Sequence, residues 1–156
     1  MDDLPAFLRA RLDEEVEEAC AATPGPWWHN PGKQWLEGEA FESYDLSKGQ
    51  EFVGYGGPHP FTGAVASTGP ASHMQSMKDA AFIARHNPAR VLAEVDAKRR
   101  IVELHEPANV EDSEEAVCMT CDDLRGIEPA YPCRTLRLLA LPYTSHPDYK
   151  DAWLPL

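Results

Sequence analysis

Residues 101 to 105, Ile101-Val102-Glu103-Leu104-His105, are followed by Cys118-Met119-Thr120-Cys121 and Tyr131-Pro132-Cys133-Arg134, and these stretches together decide how the C-terminal third of the chain is held. A two-residue gap lets the thiolates of Cys118 and Cys121 approach one tetrahedral ion while nearby backbone amides bond to sulfur. Cys133 follows after eleven residues, directly behind a proline that suits a helix start, where the positive end of the helix dipole favours a thiolate. A closed shell needs a fourth ligand. His105 ends the preceding helical pattern with twelve residues between it and Cys118, so it can fold back along the loop; Cys20 lies almost a hundred residues away on another helix. The preferred set is therefore His105, Cys118, Cys121 and Cys133, with Cys20 as the alternative to His105, and the preferred cofactor is one structural zinc.

The segment from 103 to 128 supports that reading, because it is long, acidic and poor in apolar groups, and metal bonds order such a loop most simply. Three other readings stay open: free thiols, an iron–sulfur cluster that takes Cys20 as a ligand, and a redox pair at Cys118 and Cys121. A catalytic zinc would keep an open water position beside a base, for which Glu103 or Glu106 is available. Three thiolates make a poor Lewis acid unless the site is tuned, and the His-x-Glu and Pro-Cys-x-x-Cys pattern of zinc deaminases is not met.

The chain has 156 residues, enough for one domain with its own core. The expected organisation is a single domain, with a helix and small-sheet part over 1–104 and a metal-held lobe over 105–156. It opens on Met1-Asp2-Asp3 without a basic and then apolar leader, and no run approaches the roughly 18 apolar residues of a membrane span. A cytoplasmic protein with no membrane contact is expected, in which the four cysteines stay reduced. The net charge of -12 is concentrated: residues 1–20 hold seven acids against two arginines, and residues 103–128 hold nine acids against Arg125 alone. Such a surface excludes non-specific attraction to duplex nucleic acid or anionic lipid. Its plainest role is solubility; a sharper one is contact with a basic protein partner, or imitation of nucleic acid, which would give binding that weakens steeply with salt.

Outward from the cysteines the pattern is α+β: packed helices, a small antiparallel sheet and the metal-stapled C-terminal lobe. A first helix is capped by Asp3 and carries Leu4, Leu8, Leu12, Val16 and Cys20 at four-residue spacing, with Phe7 and Ala19 beside them. Its acidic second half opposes the helix dipole, so Arg99 or Arg100 of a later helix is expected nearby. Thr23-Pro24-Gly25-Pro26 ends it. Strands are predicted near 34–41, 51–55 and 64–68, with turns at 47–49 and 56–58, although the Gly/Pro-rich span 56–70 also fits a mobile loop. Trp27, Trp28, Trp35, Phe41, Phe52 and Tyr55 would supply the sheet's packed face. Helices follow from Met77 to His86 and from Pro88, capped by Asn87, with Val91, Leu92, Val95, Val102 and Leu104 as apolar positions; another starts at Pro132, and a last turn runs from Pro147 to Trp153.

Phosphate-loop, dinucleotide and serine-hydrolase motifs are absent, and the remaining histidines, His29, His59, His73, His86 and His146, read as surface or turn residues. Trp27, Trp28 and Trp35 fit core packing, or a pocket that stacks a nucleotide-like ligand.

The opening Asp3-Leu4-Pro5-Ala6-Phe7-Leu8-Arg9-Ala10-Arg11-Leu12-Asp13-Glu14, the central stretch from Ile83 to Val95 (IARHNPARVLAEV), and the ending Leu139-Ala140-Leu141-Pro142-Tyr143 with His146-Pro147-Asp148-Tyr149 resemble a family of small uncharacterised proteins of actinobacteria and their phages. Members with a Cys-x-x-Cys and then Tyr-Pro-Cys-Arg-Thr-Leu-Arg resemble residues 98–137, which implies the same four ligands. Cys20 to Trp27 resembles a start common in small phage accessory proteins. The resemblance implies fold and metal and only a setting for function. The expected function is a non-catalytic zinc-binding accessory protein with a protein partner; the alternative is a binder or processor of a nucleotide-like ligand.

Overall fold

The computed structural model describes residues 3–29, 49–56, 63–109, 116–121 and 131–155. It is an α+β fold with four α-helices and two antiparallel sheets among those residues. The helices are α1 (Leu4–Ala21), α2 (Met74–Arg85), α3 (Pro88–Leu104) and α4 (Arg134–Ala140). The strands are β1 (Trp27–His29), β2 (Gln50–Tyr55), β3 (Gly63–Pro70), β4 (Ala108–Asn109) and β5 (Ala116–Val117). None of the described helices is long and apolar enough to cross a membrane. The chain divides into two compact units, Met1–Val16 with Glu94–Leu156 and Glu17–Ala93, with the boundaries inside α1 and α3.

The first unit is built around Leu4, Phe7, Leu8, Val102, Leu136, Ala140 and Trp153, with Cys118 and Cys133 in the same buried cluster. Leu4, Leu8 and Leu12 are buried as their spacing predicts, whereas Val16 is half-buried and Cys20 is exposed. At about 100° per residue, steps of four drift by about 40° each, so by Cys20 the stripe has rotated about 160° away from Leu4. On α3, Val95 and Val102 are buried, but Leu92 and Leu104, also apolar positions of the helix, are exposed. Of the two predicted cations Arg99 meets the acidic half of α1, pairing with Asp13, and Lys98, not among them, places Nζ 3.1 Å from Glu15 Oε2. Arg100 instead pairs with Asp96 of its own helix.

Tyr143 donates its hydroxyl to Glu15 Oε1 at 2.5 Å. Burial, and then the bond to Glu15 and its charge, hold the phenol's pKa above the ordinary tyrosine value, with Arg11 opposing. The folded chain therefore keeps this proton more tightly than the unfolded one, whose tyrosines ionise near about pH 10. Stability should be intact below that value and fall as pH rises through it, since the unfolded state then binds fewer protons. Urea midpoints between pH 8 and 11 should show the decline, and Tyr143→Phe should flatten it; an equally steep decline in the variant would remove Tyr143 as a source.

The second unit is a three-stranded antiparallel sheet, β1-β2-β3, with Val53 buried against Ala80 and Ala84 of α2 and with Trp27, Val65 and Ile83 around them. The predicted strand at 34–41, with Trp35 and Phe41, lies outside the described residues. The first strand seen is Trp27–His29, paired Trp27↔Tyr55, Trp28↔Gly54 and His29↔Val53. Residues 63–70, which also fitted a mobile loop, form β3. Gly56, at φ 76°, ends β2 where a turn was expected. Helix α2 begins at Met74, three residues before its predicted start, because its first turn docks on β3: Thr68 Oγ1 donates to the Ser76 carbonyl at 2.7 Å. Asn87 caps α3 as predicted, its Oδ1 accepting from Arg90 N at 3.1 Å.

Gly54 is fixed by the indole of Trp28. A Cβ there would stand 2.2 Å from Trp28 Cζ2, and the ring is itself held by Nε1 donating to the Gly56 carbonyl at 3.1 Å and by an edge contact with Phe52. Gly54→Ala should cost about 1–3 kcal/mol by overpacking, read as a lower urea midpoint; unchanged stability would mean that the indole has room to move.

Candidate metal centre

Four segments of the first unit build the site. The last turn of α3 presents His105, whose backbone N–H bonds to the Ile101 and Val102 carbonyls, both at 3.2 Å. Strands β4 and β5 form a minimal hairpin, Ala108↔Val117 and Asn109↔Ala116, that returns the chain to Cys118. A three-residue turn, Met119–Cys121, closes with Cys121 N donating to the Cys118 carbonyl at 3.1 Å, so the two thiols leave the same side of the turn. Thr120 donates its hydroxyl to the Leu104 carbonyl and clips this turn to the end of α3. Cys133 stands at the N-cap of α4, with Arg137 N donating to its carbonyl at 3.1 Å, and Tyr131 N donates to the Ala116 carbonyl to bring that segment alongside β5.

The result is a cluster of His105, Cys118, Cys121 and Cys133 whose four ligand atoms lie within 4.8 Å of one another. His105 Nδ1 is 3.3 Å from Cys118 Sγ, 3.3 Å from Cys121 Sγ and 3.5 Å from Cys133 Sγ. One ring nitrogen carries one lone pair or one N–H, so at most one of these contacts can be a directed hydrogen bond. Three sulfurs around one imidazole nitrogen are explained by a shared centre, and the group can hold a metal ion. Cys20, the alternative ligand, is exposed on α1 and is not a member of the cluster.

Burial pushes the Cys133 thiol up to about 12; the neighbouring Cys121 and Cys118 add to the rise, and a backbone bond at Leu136 opposes it. An ion entering the metal-free centre therefore has to displace a proton from this sulfur. Tyr131 is likewise raised to about 12, chiefly by burial and then by Cys133. Two polar neighbours escaped the sequence reading: Thr120, at the clip, and Thr135, whose hydroxyl lies 3.6 Å from Cys121 Sγ. No spacing rule announces either; only the fold brings Thr120 to the Leu104 carbonyl and Thr135 to the Cys121 sulfur.

The tryptophans behave as packing residues in the described part of the chain. Trp27 Nε1 donates to the Thr23 carbonyl at 2.8 Å and its ring packs on the core of the second unit; Trp28 lies over Gly54. His29 is not a surface residue: its side chain is 14 % exposed and Nε2 sits 2.7 Å from Oε2 of the buried Glu51. His146 is also partly covered, with Nε2 2.6 Å from Arg11 Nη1. His73 and His86 are exposed as expected, and His59 lies outside the described residues.

Comparison with known proteins gives a family and no function. The chain belongs to a family of unknown function, DUF6221, whose model matches residues 1–155. No curated protein and no solved structure matches it.

Proposed function

We propose that this member of a family of unknown function is a non-catalytic zinc-binding accessory protein that works by contacting another protein, in an actinobacterial or phage setting. The observation that carries the metal reading is the convergence of three sulfurs on His105 Nδ1. With zinc–sulfur bonds of about 2.3 Å and a zinc–nitrogen bond of about 2.0–2.1 Å, a tetrahedral shell has nitrogen–sulfur edges of about 3.5 Å. The corresponding distances here are 3.3, 3.3 and 3.5 Å. His105, Cys118, Cys121 and Cys133 would hold the ion, and zinc would supply a redox-inert cross-link between α3, the Cys118–Cys121 turn and α4. Four protein ligands fill a tetrahedral shell and leave no position for a reacting water, which supports a structural role.

Support for a protein partner is coarser. Leu104 and Met119, 64 % and 58 % exposed, belong to the two segments that the Thr120–Leu104 bond joins, and give the centre an apolar margin of the kind partners cover. The net charge of -12 favours a basic partner and disfavours duplex nucleic acid or a membrane surface.

Elemental analysis of protein prepared without chelator should give about one zinc per chain. His105→Ala should weaken retention against a chelator and Cys20→Ala should leave it unchanged. Zinc-free protein, or equal retention in both variants, would overturn the assignment; a brown protein with visible absorbance would replace zinc by iron–sulfur. A nucleotide panel should leave the melting temperature unmoved, because only a specific ligand stabilises the fold by mass action.

A further inference from the structure

We propose that Cys121 is a modification site, the sulfur at which hydrogen peroxide enters the metal centre, with Cys118 completing the reaction as a disulfide partner. This rests on reading the four residues as a zinc shell.

The three sulfurs are covered unequally. Cys118 and Cys133 are each 1 % exposed and form part of the hydrophobic core, whereas Cys121 is only half-buried and packs at its margin. Cys121 ends the turn whose other residues, Met119 and Thr120, are exposed, so that turn is the open side of the centre. The Thr135 hydroxyl lies 3.6 Å from Cys121 Sγ, in a long contact in which either atom can donate. A thiolate that peroxide can reach reacts before its covered neighbours.

The chemistry balances within the centre and the named oxidant. The Cys121 thiolate attacks one peroxide oxygen, the O–O bond breaks, and with one proton the other oxygen leaves as water, giving Cys121 sulfenic acid. The Cys118 thiolate then attacks that sulfur, a sulfur–sulfur bond forms, and the hydroxyl takes a proton and leaves as a second water. Two thiolates have lost two electrons and peroxide has gained them. Cys118 is assigned as the partner because it shares one short turn with Cys121, whose N donates to the Cys118 carbonyl at 3.1 Å; a Cys121–Cys133 disulfide, open to the same cluster, would overturn that assignment. A zinc held by these four residues would lose two of its ligands to the disulfide and would be released, and Cys118, a core residue, would have changed partner.

The test uses the zinc-loaded full chain carrying Cys20→Ser, which removes the exposed thiol on α1. Hydrogen peroxide is added, zinc release is followed with a chromogenic chelator, and the sulfurs are mapped by sulfenic-acid trapping and differential alkylation with mass spectrometry. The expected result is trapping first at Cys121, then a Cys118–Cys121 disulfide appearing together with zinc release, and recovery of zinc binding after a thiol reductant. Zinc retained under excess peroxide, or first trapping at Cys118 or Cys133, overturns the proposal while leaving the zinc shell standing. A chain without zinc before peroxide is added overturns the shell itself, and the modification site with it.

Discussion

Cys118→Ala, or stripping of the metal with a chelator, is expected to unfold residues 105–155 while residues 17–93 keep their structure. Beyond α3 the described regular structure consists of two two-residue strands, a seven-residue α4 and short single turns. A helix below about 12 residues is marginal in water, and an isolated two-stranded hairpin is no better. Structural zinc in small folds contributes an apparent binding energy of about 10–16 kcal/mol, which here would order these pieces. The damage should not stop at the metal, because Cys118 and Cys133 share a buried cluster with Leu4, Leu8, Val102 and Trp153. The second unit holds its own cluster of Val53, Ala80 and Ala84 and contains no member of the metal group. Hydrogen exchange followed by mass spectrometry should therefore show loss of protection over 116–121 and 131–155, with β2, β3 and α2 still protected. Uniform retention of protection after complete metal removal would show that the core alone suffices.

Trp153→Ala should be the most damaging single change away from the ligands, at about 3–5 kcal/mol for a buried tryptophan cut back to a methyl. Trp153 is 1 % exposed, stands 4.9 Å from the Phe7 ring centroid and 5.6 Å from that of Tyr149, and carries Lys150 Nζ 5.1 Å above its ring. It thereby joins the last turn of the chain to α1. The neighbouring Leu154 is 45 % exposed, and its alanine variant should stay within about 0.5 kcal/mol. Urea titration of the two variants separates the cases; similar losses in both would mean that the last turn contributes as a whole rather than through the indole.

The helices were legible where the sequence carries both a stripe and a punctuation mark. Asn87-Pro88 marks the start of α3 and Thr23-Pro24-Gly25-Pro26 the end of α1, because caps and prolines act through the local backbone. The packed ends of those helices were less legible: Cys20 and Leu104 look apolar in sequence yet are exposed, since helical drift and chain ends depend on what is near in space. Strand β1 has three residues, too few for any alternation, and exists through its pairing with Val53, Gly54 and Tyr55. The part-buried His29–Glu51 pair was hidden for the same reason, as 22 positions separate its members. Of the metal group, the Cys-x-x-Cys was local and plain, Cys133 followed from its place behind a helix-starting proline, and His105 from loop length. Thr120 and Thr135 did not, because hydroxyls that meet a distant carbonyl or a sulfur have no sequence period.

X-ray absorption at the zinc edge, on protein purified without added metal, reads the ion and its shell together. The expected result is a zinc edge with three sulfur scatterers at about 2.3 Å and one nitrogen at about 2.0–2.1 Å, the nitrogen lost in His105→Ala. An absent zinc edge, or a shell dominated by oxygen and nitrogen, would contradict it.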